Sequence, residues 1–357
     1  MQHPPLESSA RGEISRSRAP PLCILLPAPQ PFASMSNRPL LLLLFLSSSS
    51  IPACSAAELD PAKRAATLVS ALAEAFEPPA WRGLVCSPPR RVEQSPGQIY
   101  NSGLAPVWVV EVAAAEGVNG YLMWEDSPES PLVDFAWDAP EARCLPKPGR
   151  GVLLRNVPNQ QQFPVHGNSA PEIASGCVPT AAANLIGFWA SKGLQNWAGT
   201  AATAGPRPDL RLITTRLRGR LRMQEIPDRD GFTENGMPLS GAFPADLRDG
   251  LQEDAAAHGI PLETVLERFS GGVLRRETAE GRPVLLSCLV RLPQKPRLSW
   301  GHEVTGTGWV EIEGRLFAGV HDNFLPSKSG ETTRWIGEGQ IQTLLRAAPQ
   351  SGLIRPD

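Results

Sequence analysis

Residues 175–192 read SGCVPTAAANLIGFWASK. Gly176 permits a tight entry into a helix, Pro179 fits the first turn, and the apolar run that follows carries the pattern to Lys192. The pattern predicts a helix over 176–192, with Ala181, Ala182 and Ala183 small enough to let it pack closely on a neighbouring sheet. Cys177 falls at the start of that helix. Unpaired N–H groups and the helix dipole favour negative charge there, and the thiolate is the nucleophilic form of cysteine. A lone cysteine is more often an inert buried residue, so a chemical role needs a base elsewhere in the chain.

Working outward, residues 60–77 read as an amphipathic helix stopped by Pro78 and Pro79. Residues 84–145 read as β, with short apolar or alternating runs at 107–112, 120–124 and 131–137. Residues 147–151 read as a linker. Downstream, 199–234 reads as a polar excursion with a short helix, and 244–258 as a helix ended by Gly259. Residues 262–269 read as a strand or short helix, and 281–290 as a buried strand. Residues 300–310 and 315–320 read as two strands turned at Glu313 and Gly314, and 340–347 as a closing helix. Helices first and antiparallel strands after them predict an α+β domain over 151–357. A smaller β-rich region over 58–150, a pro-segment or an accessory domain, precedes it.

The chain of 357 residues is long enough for one large domain or two smaller ones. A formal net charge of −2 makes no electrostatic case for nucleic acid or an anionic membrane surface as partner. Residues 1–34, rich in Pro, Ser and Arg, read as a mis-assigned or disordered extension. From Met35 the sequence has a basic Arg38, an apolar run from Leu40 to Leu46 and small residues from Ala53 to Ala57. That order predicts a signal peptide over 35–57, too short in its apolar part to span a bilayer. The expectation is a secreted or periplasmic protein. Cys54, after Ile51, Pro52 and Ala53, offers lipid anchoring as the alternative. Beyond Cys23 and Cys54, the cysteines are Cys86, Cys144, Cys177 and Cys288, with no CxxC spacing to suggest a zinc or redox site.

Among the histidines beyond that leader, His166 sits in a polar loop and His258 at a helix C-terminus, where a protonated ring suits the dipole. His302 follows Gly301 at the start of an apolar strand, far downstream of Cys177, and His321 lies one strand later beside Asp322. Cys177 and His302 offer the residue types of a nucleophile and its general base.

Four segments in sequence order resemble one family. SGCVPTAAAN at 175–184, GRPVLL at 281–286, GHEVTGTG at 301–308 and VHDN at 320–323 resemble the bacteriocin-processing-peptidase-like branch of papain-fold cysteine peptidases, over about residues 155–345. Val178 stands where that branch often has Gly, and is closer to streptopain-like relatives. The resemblance implies a papain-like fold, a cysteine-bearing helix packed on an antiparallel sheet. It makes Cys177 the nucleophile, His302 the base and Asp322 the residue that orients the imidazole, with Asn323 as the alternative. It also implies an oxyanion-hole glutamine upstream of the cysteine, for which Gln162 fits best and Gln161 next. Residues 120–137 resemble the β-hairpin of streptopain-type pro-regions. This chemistry calls for no metal or organic cofactor.

The expected function is therefore that of an exported thiol peptidase, a hydrolase that cleaves peptide or protein substrates through an acyl-enzyme. A cell-wall amidase or transglutaminase-like acyl transferase on the same scaffold is one alternative. A non-catalytic exported binding protein is another.

Overall fold

The computed structural model describes residues 60–77, 83–93, 105–113, 119–137, 145–166, 172–199, 208–226, 233–234, 237–292, 295–323 and 333–350. The leader expectations (1–34, 35–57 and Cys54) lie outside the described residues, as does Cys144. Residues 55–357 belong to one compact unit. None of the helices among the described residues is long and apolar enough to cross a membrane.

The fold is α+β, built on an antiparallel sheet of 12 strands. In chain order these are β1 (Val85–Cys86), β2 (Arg90–Val92), β3 (Val107–Ala113), β4 (Asn119–Glu125), β5 (Leu132–Trp137) and β6 (Gly151–Leu153). They continue with β7 (Leu262–Arg268), β8 (Val284–Leu292), β9 (Lys295–Ile312), β10 (Arg315–His321), β11 (Arg334–Gly337) and β12 (Ile341–Pro349). The order across the sheet is β7-β12-β8-β9-β10-β11-β5-β4-β3-β1, with β2 beside β3 and β6 beside β9. The helices are α1 (Pro61–Ala75), α2 (Cys177–Ser191), α3 (Gln195–Ala198), α4 (Leu210–Arg220), α5 (Pro244–Ala257) and α6 (Gly271–Ala279).

Most elements follow the sequence pattern. Asp60 caps α1 by accepting from the Ala62 N–H, and Leu68 and Leu72 bury its apolar face. The β9–β10 hairpin turns at Glu313 and Gly314, both with positive φ (49° and 72°), as a two-residue hairpin loop requires. The region 262–269 resolves as strand β7.

One expectation changes, and two features lie beyond the sequence reading. Residues 340–347 form not a closing helix but strand β12, inserted between β7 and β8. Both of its faces are covered: Leu344 enters one apolar cluster, and Leu345 and Ala347 another. A strand buried on both sides reads as a mixed apolar run, hard to tell from a short helix. Helix α6, unmarked in the sequence reading, covers the sheet face opposite α2 through Leu274. Finally, the β-rich region of 58–150 is not separated from the rest by a break in the sheet, because β5 pairs directly with β11 (Phe135 opposite Trp335). Across that seam Phe76, Leu72 and Phe135 share one core with Phe317 and Trp335. Arg334, fully buried, donates to both carboxylate oxygens of the fully buried Asp134.

Candidate active site

Cys177 opens α2, whose interior from Val178 to Ala190 is wholly buried. Gly176 precedes it with φ 93°, and a Cβ at that position would meet Met223 Cε at 2.7 Å and the Ser240 carbonyl at 2.8 Å. Glycine is the residue that fits. The approach to the helix is pinned on several sides. Ser175 N–H donates to the Phe163 carbonyl (2.8 Å), and Phe163 N–H to Ser175 Oγ (3.1 Å). Thr180 Oγ1 donates back to the Gly176 carbonyl at 2.7 Å, and Arg218 Nη1 to the Ser175 carbonyl at 2.6 Å.

That ladder brings Gln162 alongside the start of α2. Gln162 N–H donates to the Asn323 carbonyl at 3.3 Å. Asn323, at φ 64°, in turn sends Nδ2 to the Cys177 carbonyl (3.4 Å) and the Glu303 carbonyl (3.3 Å). The side-chain Nε2 of Gln162 is buried and has no hydrogen-bond partner among the described residues. Gln161, the other candidate, accepts at its carbonyl from Gln160 Nε2.

The residues that share a face with the thiol follow from the alternation of β9. Thr305 Oγ1 donates to the Ala181 carbonyl of α2 at 3.1 Å, so the Thr305 face is the α2 face. Glu303 lies two residues away on that same face, and its partner across the sheet is Ser287, whose Oγ donates to Glu303 Oε2 at 2.6 Å. The backbone N–H of Glu303 is among the groups that favour the Cys177 thiolate.

His302 leaves the opposite face. It stands opposite Cys288 in register, in line with Val304, Leu286 and Val284, all of which lie in the cluster capped by α6. Its Nε2–H donates to the backbone carbonyl of Asp322. The Asp322 carboxylate accepts from Arg334 Nη1 at 3.2 Å, tying this side to the Arg334–Asp134 pair. The structure thus groups Cys177, Gln162 and Asn323 on one face and His302 with Asp322 on the other. The facing of His302 toward the thiol that the sequence order suggests is replaced by Glu303, because adjacent residues of a strand point to opposite sides. His321 shares the α2 face but uses Nδ1–H on the Pro158 carbonyl at 2.9 Å. His258 bonds the Asp254 carbonyl of its own helix, in keeping with a structural role.

Electrostatics sharpen the picture. Burial pushes the Cys177 thiol up to about 11, outweighing the N–H groups of Glu303 and Val178 that favour the thiolate. Cys177 is therefore a neutral thiol at pH 7, whereas helix-end placement alone predicts a thiolate. Burial holds His302 down at about 4, so its ring is neutral at pH 7. Burial raises Glu303 to about 7, with the Ser287 hydrogen bond pulling the other way. Cys288, buried in β8, is raised well above the ordinary thiol range by desolvation, which disfavours its reactive thiolate form.

Two site residues escaped the sequence reading. Asn184 is a fully buried amide two turns into α2, holding Gln160 N–H (2.9 Å) and Asn323 Oδ1 (3.3 Å). A lone amide inside an apolar helix was its signal, since buried polar groups are almost always satisfied. Glu303 had a comparable signal as the single acid in an otherwise uncharged strand segment, 301–310. Among the described residues no group of three His, Cys, Asp or Glu could hold a metal ion.

No protein-family model matches this chain, and no curated protein matches it.

Proposed function

We propose that the protein is an exported papain-like cysteine hydrolase, a peptidase that cleaves peptide bonds through an acyl-enzyme on Cys177. The observation that carries this reading is the pairing of a cysteine at the first position of a buried helix with a buried amide donor on the adjoining segment, Gln162 Nε2, that has no partner among the described residues. Attack on a carbonyl moves charge onto its oxygen. Gln162 Nε2–H and the backbone N–H groups at the start of α2 are donors of the kind that charge needs. An antiparallel sheet packed under the cysteine helix is also what a papain-like arrangement asks for.

The test has two arms. Purified protein is given a thiol-directed epoxide, and the modified cysteines are mapped by mass spectrometry. Cys177 is expected to react far faster than Cys288; equal rates would sink the nucleophile reading. Casein and peptidoglycan are then offered side by side to wild type and Cys177→Ala. Cysteine-dependent release of peptides from casein supports a peptidase, and cysteine-dependent solubilisation of peptidoglycan alone points to a cell-wall amidase.

A further inference from the structure

We propose that Glu303 is the acid–base partner of Cys177, taking the thiol proton during attack and handing it to the leaving amine. This rests on the reading of Cys177 as nucleophile.

The geometry carries it. Glu303 shares the α2 face of β9, and its backbone N–H is among the groups that favour the Cys177 thiolate. Asn323 Nδ2 clamps the Cys177 and Glu303 carbonyls together (3.4 and 3.3 Å), and Asn184 holds Asn323 from within α2. Glu303 is only 4% exposed. Its one side-chain partner among the described residues is Ser287, which accepts in turn from Thr343 Oγ1 at 2.9 Å. No cation pairs with Glu303 among the described residues. A buried, unpaired carboxyl is costly, and such groups concentrate where proton transfer is needed. The titratable groups around it are Cys177 on α2, Cys288 on β8, His321 on β10 and His302, its strand neighbour on the other face. His302 supplies no charge to neutralise it at pH 7, since its ring is neutral and is turned away. Burial raises Glu303 to about 7, which suits a group that must both accept and donate near neutrality.

The step balances. The Glu303 carboxylate takes the S–H proton as the sulfur–carbon bond forms and the carbonyl π pair moves to oxygen. The carbon–nitrogen bond then breaks, the carboxyl proton goes to nitrogen, and a thioester remains. In the second half Glu303 takes a proton from the attacking water, and as the carbon–sulfur bond breaks the proton returns to sulfur.

The experiment compares wild type, Glu303→Gln and His302→Asn by iodoacetamide alkylation of Cys177 from pH 5 to 10, together with casein hydrolysis. Wild-type alkylation is expected to rise through a step near pH 7. Glu303→Gln should abolish that step and cut hydrolysis by about 100-fold or more, while His302→Asn keeps the step. Ser287→Ala, which leaves the carboxyl in place, should move the step to higher pH, and this keeps the proposal testable if Glu303→Gln fails to fold. A step that survives Glu303→Gln, or that vanishes in His302→Asn, overturns the proposal while Cys177 remains a reactive nucleophile. A wild-type Cys177 no more reactive than Cys288 overturns the nucleophile reading and this proposal with it.

Discussion

Arg334 and Asp134, 200 residues apart in sequence, meet with no solvent exposure at the seam where β11 joins β5. Tyr121 Oη adds a third donor to the same carboxylate at 2.8 Å. Removing the carboxylate takes from a buried guanidinium the closer of the two carboxylates, Asp134 and Asp322, that pair with it among the described residues. Asp134→Ala is expected to cost about 3–5 kcal/mol of stability by chemical denaturation, a large part of the total for a domain. A loss below about 1 kcal/mol would mean the pair is solvated.

The two neighbours on β9 set opposing pH dependences. His302 binds its proton more weakly folded (about 4) than unfolded (6.5), so its contribution to stability is full above pH 6.5 and is lost as pH falls toward 4. Glu303 binds its proton more tightly folded (about 7) than unfolded (4.5), so stability falls as pH rises from 4.5 to 7. Between these limits the slopes nearly cancel, at about 1.4 kcal/mol per pH unit each. Glu303→Gln should therefore unmask stability that rises with pH, and His302→Asn stability that falls with it. Denaturation midpoints of both variants at pH 5, 6 and 7 check the signs.

Gly176→Ala should strain the entry to α2, because φ 93° disfavours any side chain and the new methyl would press on the Ser240 carbonyl. The expected cost is about 2 kcal/mol, with slower epoxide labelling of Cys177. Unchanged labelling would show that the helix start tolerates a different path.

If Gln162 holds the oxyanion, Gln162→Ala should lower kcat by about 100-fold with little change in KM. Iodoacetamide alkylation, which builds no oxyanion, should be unaffected. Equal losses in both readouts would assign Gln162 a structural role instead.

Much of the fold was legible because periodicity is local. The run from Val178 to Ala190, the alternation in β3 and β4 and the Glu313–Gly314 turn each carry their signal within a few residues. Strand β12 was not legible, because its two faces enter different cores and its apolar residues show no alternation. The placement of Cys177 at a helix start was legible, and so was the strand bearing His302. Which side of that strand meets α2 was not. Alternation groups Glu303 with Thr305 and His302 with Val304, but only the packing of Thr305 on Ala181 decides which pair the helix sees.

The seam between β5 and β11 has a practical corollary for handling the protein. The exposed turn at Pro148–Arg150 is an accessible place for a trypsin-like enzyme to cut. A cut there severs the chain between β5 and β6 without removing any strand from the sheet. The nicked material should run as two bands on a denaturing gel and yet elute as one intact species in native buffer. For a chain with such an interleaved sheet, loss of a covalent link and loss of a domain are different events.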